Sequence, residues 1–167
     1  MTKQSDKDDL TKLAHAGRDP ARFSGAVNVP VHRASTILFD SAADMARAGA
    51  QPYGSPYYGR RGTPTQFGLQ EAVADLEGGF RTILTPAGLS AVTVAILSFV
   101  EQGDHVLIPD SVYDPTRKFC DQFLTRMGVA TTYYDPTIGG AISELISEKT
   151  KLVFTESPGS LTFEVQD

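Results

Sequence analysis

The chain has 167 residues, which is enough for one domain of ordinary size with a real core. Its composition of 41% apolar, 21% charged and 9% aromatic residues excludes a disordered or collagen-like chain. The net charge of −5 argues against a nucleic-acid partner, and no apolar run reaches the ~18 residues of a membrane span. The polar start MTKQSDKDDL does not resemble a signal peptide, and the single cysteine, Cys120, favours a reduced, cytoplasmic setting in which it packs rather than reacts.

The first part of the chain predicts short helices separated by irregular segments. Leu10, Leu13 and Ala14 share one helical face, and Ser41 with Asp44 has the spacing of a capping box. The predicted elements are a helix over 7–16, an extended arm over 18–36, a helix over 42–49, a loop over 50–64 and a helix from Thr65 to Gly78.

From residue 81 onward, short apolar runs alternate with helical patterns. The predicted strands are 81–85, 105–109, 129–134 and 151–155, and the predicted helices are 88–101, 115–127 and a short one near 140–148. Such alternation indicates an α/β fold with a mainly parallel sheet layered by helices.

The division of the chain follows from these elements. We expect residues 1–64 to form an N-terminal arm with a phosphate-contact loop, and residues 65–167 to form the first part of an α/β domain. The last strand leads into ESPGSLTFEVQD with no further helix to cover it. We therefore expect the chain to be part of a longer one.

The segment from Thr85 to Gly103 is the first candidate for a ligand site. A glycine turn before a helix leaves the backbone N–H groups near Gly88 and Leu89 without partners, which suits a phosphate, although a plain strand–helix turn has the same pattern. Tyr113 follows a strand and is either a ligand contact or an aromatic lid on the core. Tyr58 and Arg60 could reach a phosphate or lie in a solvated loop. The scattered histidines predict no metal site.

Five segments, in order, resemble motifs of the Cys/Met-metabolism family of pyridoxal-phosphate (PLP) enzymes. Tyr58–Thr65, YGRRGTPT, is similar to the family motif Tyr-x-Arg-x-x-Asn-Pro-Thr, and LQEAVADLEGG is similar to its helix ending in Leu-Glu-Gly-Gly. The other matches are the phosphate turn at Thr85–Ala91, the tyrosine segment GDHVLIPDSVYDPT, and ESPGS beside Glu-Ser-Pro-Thr-Asn-Pro. Within the family, YGRRGTPT and ESPGSLTFEVQD look most like the bacterial cystathionine β-lyases.

The resemblance implies the large domain of a PLP-dependent aspartate aminotransferase-like (fold type I) enzyme, incomplete, with an N-terminal helical arm. Backbone donors at Gly88 and Leu89 would bind the cofactor phosphate, and Tyr113 would stack on the pyridine ring and assist proton transfer. Tyr58 and Arg60 would bind the phosphate of a neighbouring subunit, which implies a homo-oligomer, usually a dimer of dimers. The implied reaction is αβ-elimination of cystathionine, a small amino-acid substrate, to homocysteine, pyruvate and ammonia.

Two departures from the family motifs bear on this interpretation. Thr63 replaces the asparagine of the first motif, and Gly159-Ser160-Leu161 replaces Thr-Asn-Pro, so Ser160 stands at the position of a cofactor-binding asparagine. Both changes favour the β-lyase branch. None of the six lysines matches the one that binds the cofactor covalently, and the family's pyridine-nitrogen aspartate and substrate-carboxylate arginine have no counterpart here.

Three hypotheses follow from the sequence. The first is a part of a cystathionine β-lyase-like enzyme, inactive alone because it has no matching lysine. The second is a γ-lyase, γ-synthase or sulfhydrylase of the same family. The third is a short, non-catalytic binding or interaction module.

Overall fold

The structure is a computed structural model that describes residues 9–167, and the chain divides into two compact units. The first unit is Met1–Leu84 and the second is Thr85–Asp167. The functional division that we expect from the sequence, between residues 64 and 65, stays a prediction.

The first unit is built from short helices and irregular segments. Its helices are α1 (Asp9–His15), α2 (Ala42–Gly49) and α3 (Pro64–Glu77), with 3-10 turns at Pro20–Phe23 and Gly59–Arg61. The predicted helix over 42–49 is confirmed, and so is the one after the loop. The predicted helix over 7–16 begins outside the described residues, and the arm over 18–36 contains a 3-10 turn rather than being extended throughout.

The ends of these helices follow from local hydrogen bonding. The Ser41 hydroxyl accepts the backbone N–H of Asp44 at 3.1 Å, as expected for an N-cap of α2. At α3, the backbone N–H of Thr63 donates to Oε1 of Gln66 at 2.7 Å, which forms half of a capping box. Gly78 ends α3 in the left-handed conformation, with a φ of 63°.

The second unit is a three-stranded parallel sheet covered by helices. Its strands are β1 (His105–Pro109), β2 (Ala130–Tyr134) and β3 (Thr150–Val153), in the order β2-β1-β3. Its helices are α4 (Gly88–Leu97) and α5 (Asp114–Lys118), the latter continuing as a π-helical turn over Phe119–Leu124, and a 3-10 helix spans Gly139–Leu145. The predicted α/β fold with a parallel sheet is confirmed.

The core of the second unit lies between the central strand and the two helices. Residues from α4, β1, the π-helical turn and the segments just after β1 and just before β2 form one buried cluster. It comprises Ile96, Val106, Ile108, Val112, Cys120, Leu124 and Val129. Four of the five residues of β1 are buried, which explains why its sequence HVLIP is a continuous apolar run. This central strand fixes the positions of the loops that follow it and its neighbours.

Three sequence-based predictions are corrected here. Residues 81–85 form no strand, because they pair with none of the three strands and leave Ile83 68% exposed. Helix α4 ends at Leu97 rather than at residue 101. At this end of the helix, the Ser98 hydroxyl donates to the carbonyl of Val94 at 2.7 Å. The helix predicted over 115–127 is present, but its middle widens into a π-helical turn.

Among the described residues, none of the helices combines the length and apolar character that a membrane span would need.

Candidate functional site

The loops that follow β1 and β3 lie against each other in the second unit. Since β1 and β3 are parallel neighbours, their carboxyl ends meet at one edge of the sheet. The backbone N–H of Ser160 donates to the carbonyl of Ser111 at 2.8 Å. Gly159 is buried, and a Cβ atom on it would lie 2.6 Å from Cβ of Ser111. The close contact between the two loops therefore depends on glycine at position 159.

Glu156 joins the two loops through its side chain. Its Oε1 atom accepts a hydrogen bond from the backbone N–H of Tyr113 at 3.0 Å. The same atom accepts the hydroxyl of Ser160 at 3.1 Å. Two residues that the sequence selects as cofactor contacts, Tyr113 and Ser160, thus share one carboxylate oxygen.

Tyr113 lies at the point where the loop after β1 enters α5. Its carbonyl accepts the N–H groups of Thr116 at 2.8 Å and of Arg117 at 3.1 Å, so it ends the loop and begins the helix. The side chain is 48% exposed, unlike the buried Val112 before it. An exposed aromatic ring on a fixed backbone is suited to packing against a flat ligand.

The amino end of α4 offers unpaired backbone donors in the same unit. The first N–H groups of an α-helix have no acceptor within the helix, and Ala87, which precedes α4, brings no side-chain oxygen to cap them. Gly88 is exposed, and a Cβ atom there would meet open space. Helix α4 also contacts α5, the helix that Tyr113 begins. The partial positive charge at this helix end favours an anion.

A cleft of about 750 Å³ opens beside these loops. Its charged lining is mainly acidic and is formed by Asp110, Asp114, Arg117, Asp135 and Glu164. The guanidinium of Arg117 pairs with the Asp110 carboxylate at 2.5 Å and lies 3.9 Å above the centre of the Tyr133 ring. The cationic group of the cleft is therefore already engaged within the second unit.

Two groups near the cleft have shifted pKa values. Burial raises the pKa of Tyr133 above its usual range, and its 2.6 Å hydrogen bond to Asp121 raises it further, so this phenol stays neutral. Burial lowers the pKa of Arg117, but the hydrogen bond and the charge of Asp110 raise it by more. Both residues act here as packing and pairing groups rather than as proton donors.

Cys120 is fully buried in the core, and burial raises the pKa of its thiol to about 11. Such a thiol is a packing group at neutral pH. Across residues 9–167, no group of His, Cys, Asp and Glu side chains is arranged to hold a metal ion.

Tyr58 and Arg60 lie in the first unit, at the 3-10 turn Gly59–Arg61 within the loop predicted over 50–64. The Arg60 guanidinium is 5.7 Å from the centre of the Tyr58 ring, and the Ser35 hydroxyl is 3.3 Å from the Tyr58 hydroxyl. The backbone N–H of Gly59, between them, donates to the carbonyl of Ser35 at 2.7 Å. The two side chains are thus held together on one short segment.

Sequence reasoning missed two features of this region. It placed Glu156 at the end of a strand but assigned it no role, since nothing in the spacing indicates which groups its carboxylate meets. It also missed the pairing of Arg117 with Asp110, because the six residues between them cross from a loop into a helix.

Comparison with known proteins identifies the family. A sequence model described as "Cys/Met metabolism PLP-dependent enzyme" matches residues 10–167. The chain belongs to this family. It is 52% identical over 169 residues to a putative cystathionine β-lyase of Rhizobium johnstonii, covering 97% of the chain and 42% of that relative. It is 46% identical over 164 residues to the cystathionine β-lyase MetC of Escherichia coli, covering 98% of the chain and 42% of that protein.

The fold comparison agrees with the family. The crystal structure of metB from Corynebacterium glutamicum matches with a TM-score of 0.87 and 25% identity, over 97% of the chain and 40% of that structure. The predictions of a Cys/Met-metabolism PLP enzyme, its fold class and its cofactor are confirmed. The chain spans about 42% of the length of the curated relatives it matches.

The second unit has groups that fit PLP. The uncapped amino end of α4 suits the phosphate, because it offers N–H donors and carries no acidic residue in its first turn. The exposed ring of Tyr113 suits the pyridine ring, and the Ser160 hydroxyl is linked to the Tyr113 backbone through Glu156 Oε1. When bound, PLP acts as an electron sink for the substrate's α-carbon.

Proposed function

We propose that the natural gene product containing this chain is a PLP-dependent carbon–sulfur lyase that cleaves cystathionine to homocysteine, pyruvate and ammonia by αβ-elimination. The observation that carries the proposal is the combination of an uncapped α4 amino end with the exposed Tyr113 ring in one unit of a family member. The names of the similar proteins from Rhizobium johnstonii and Escherichia coli support cystathionine as the substrate.

Each site residue has a proposed task. The N–H groups of Gly88 and Leu89 bind the phosphate through the helix amino end. The Tyr113 ring packs against the pyridine ring, and its phenol oxygen holds a proton near the substrate. The Ser160 hydroxyl orients the polar edge of the ring.

The proposed assembly extends beyond one chain. Tyr58 and Arg60, which lie together at the 3-10 turn within the loop, bind the phosphate of a neighbouring subunit, with Arg60 as a fork donor. This makes the active form a homo-oligomer, which we propose to be a dimer of dimers in the cytoplasm.

The reaction is tested with the purified natural gene product, PLP and L-cystathionine. We expect pyruvate and homocysteine in equal amounts, identified by chromatography of the keto acid and by titration of the new thiol. The appearance of 2-oxobutyrate with cysteine instead would refute αβ-elimination and identify a γ-lyase.

Variants of Tyr113 test the site. Tyr113→Phe keeps the ring and removes the phenol, so we expect bound PLP but kcat reduced by about 10²–10⁴-fold. Tyr113→Leu removes the ring too and is expected to weaken PLP binding as well. Equal kcat values for wild type and Tyr113→Phe would rule out the proton-holding task.

The chain of 167 residues is tested separately for cofactor attachment. Lys118 in α5 pairs with Asp114 at 2.6 Å, and Lys149 and Lys151 flank the start of β3. We expect borohydride reduction in the presence of PLP to leave no specific lysine adduct on this chain. A stable adduct at one lysine would contradict the proposal that these 167 residues are inactive alone.

A further inference from the structure

Backbone hydrogen bonds already support the loop that carries Glu156. The Ser160 N–H donates to the Ser111 carbonyl of the neighbouring loop at 2.8 Å, and the Gly159 N–H donates to the Glu164 carbonyl of the same loop at 2.8 Å. These bonds involve backbone atoms alone. The Glu156 carboxylate accepts two further hydrogen bonds, from the Tyr113 backbone N–H and from the Ser160 hydroxyl.

Both of those donors belong to proposed cofactor contacts. The Tyr113 backbone is held on its carbonyl side by the N–H groups at the start of α5, and Glu156 holds it on the N–H side at 3.0 Å. The Ser160 hydroxyl is aimed by the same oxygen at 3.1 Å. A hydrogen bond to a carboxylate is about twice as strong as one between neutral groups. The carboxylate therefore fixes the direction in which the Tyr113 side chain leaves the backbone.

We propose that Glu156 is a positioning residue that sets the Tyr113 ring and the Ser160 hydroxyl relative to each other for the cofactor. This inference rests on the proposed function. The positioning role requires a hydrogen-bond acceptor as far from the backbone of residue 156 as the glutamate Oε1 atom. Glutamine keeps a carbonyl acceptor at that distance, whereas aspartate draws it back by one methylene, about 1.5 Å.

The first test measures the contact itself in the natural gene product, without turnover. Hydrogen exchange of the Tyr113 amide reports the bond to Glu156 directly. We expect exchange to become about tenfold faster in Glu156→Ala and Glu156→Asp, and to stay within about threefold of wild type in Glu156→Gln. The control is Glu148→Ala, which removes an exposed carboxylate before β3 that does not line the cleft. Unchanged exchange in both Glu156→Ala and Glu156→Asp would overturn the proposal.

The second test measures the consequence for the cofactor and the reaction. We expect the visible circular dichroism of bound PLP to change in Glu156→Ala and kcat to fall by about tenfold, with recovery of both in Glu156→Gln. Glu148→Ala is expected to match wild type in both measurements. Faster Tyr113 exchange with wild-type dichroism and wild-type kcat would also overturn the proposal, since the contact would then have no effect on the site.

The experiments distinguish a failure of the proposed lyase function from a failure of the proposed role of Glu156. A wild-type protein that binds PLP but releases no pyruvate from cystathionine refutes the lyase assignment, while the dichroism of PLP and the Tyr113 exchange still decide the role of Glu156. A wild-type protein that binds no PLP overturns both proposals. If Glu156→Ala does not fold, the contrast between Glu156→Asp and Glu156→Gln carries the test.

Discussion

Replacing Gly159 with alanine should separate the two loops that carry Tyr113 and Ser160. A Cβ atom at position 159 would lie 2.6 Å from Cβ of Ser111 and 3.1 Å from its carbonyl oxygen, and would also contact its hydroxyl. Carbon atoms pack best at about 3.5–4.0 Å, so the overlap is about 1 Å. The contacting atoms include backbone and Cβ, which cannot rotate away.

The cost of this overlap follows from overpacking in a buried site. Such changes destabilise proteins by about 1–3 kcal/mol, and the shift would also strain the bond from the Ser160 N–H to the Ser111 carbonyl. For a domain of about 150–250 residues, each kcal/mol lowers Tm by about 2–4 °C. We therefore expect Gly159→Ala in the natural gene product to lower Tm by several degrees and to weaken PLP binding.

The assay combines thermal unfolding followed by circular dichroism with titration of PLP by absorbance. The matched control is Gly140→Ala, because a Cβ atom at Gly140 would meet open space. A double variant, Ser111→Gly with Gly159→Ala, removes the opposing Cβ and hydroxyl and should recover part of the loss. If Gly159→Ala were as stable as Gly140→Ala, or if the double variant recovered nothing, the steric argument would be refuted.

Three further predictions follow from the structure. Gly88→Asp places a carboxylate at the α4 amino end and should weaken PLP binding at least about tenfold. The Gly88→Ala variant should bind PLP normally, because its Cβ atom would meet open space. Equal PLP affinities of the two variants would contradict phosphate binding at this helix end. With its pKa raised to about 11, the Cys120 thiol should be about 0.1% ionised at pH 8. Because the thiol is also fully buried, its alkylation at pH 8 should be much slower than in the urea-unfolded chain, and equal rates would contradict this. The chain of 167 residues alone should self-associate, because it exposes large apolar side chains such as Phe80 at 92% and Leu38 at 90%; a monodisperse monomer in light scattering would refute this.

Local sequence signals predicted the elements whose formation depends on near neighbours in the chain. The strand β1 was predicted with the bounds that the structure has, because a buried apolar run bounded by Gly103 and Pro109 has few alternatives. Helix α2 was predicted from its Ser41 cap. The segment 81–85 has the same apolar character, but a strand also needs a neighbouring strand to pair with. The local sequence does not indicate whether such a strand is present.

The site was predicted only in part, for a related reason. Motif resemblance selected Tyr113 and Ser160, and their roles stay predictions. The structure brings these two residues together, through an oxygen of Glu156. Their proximity depends on the parallel pairing of β1 with β3, although 40 residues that include β2 lie between these two strands in the sequence. Periodicity and spacing do not determine the order of strands in a sheet.

The tyrosines at this edge of the second unit differ in what they can bind. Tyr134 is 4% exposed, and its hydroxyl donates to the Phe154 carbonyl at 2.7 Å and accepts Nε2 of Gln166 at 3.0 Å. Tyr133 is covered by the Arg117 guanidinium at 3.9 Å, and its hydroxyl donates to Asp121. Both hydroxyls are thus already used by this unit's own groups, Arg117 covers one face of the Tyr133 ring, and the Tyr134 ring is buried. Tyr113 instead has a backbone held on both sides and a ring that is 48% exposed. Of these three rings, Tyr113 is therefore the one that can take a flat cofactor without first losing contacts that stabilise the unit.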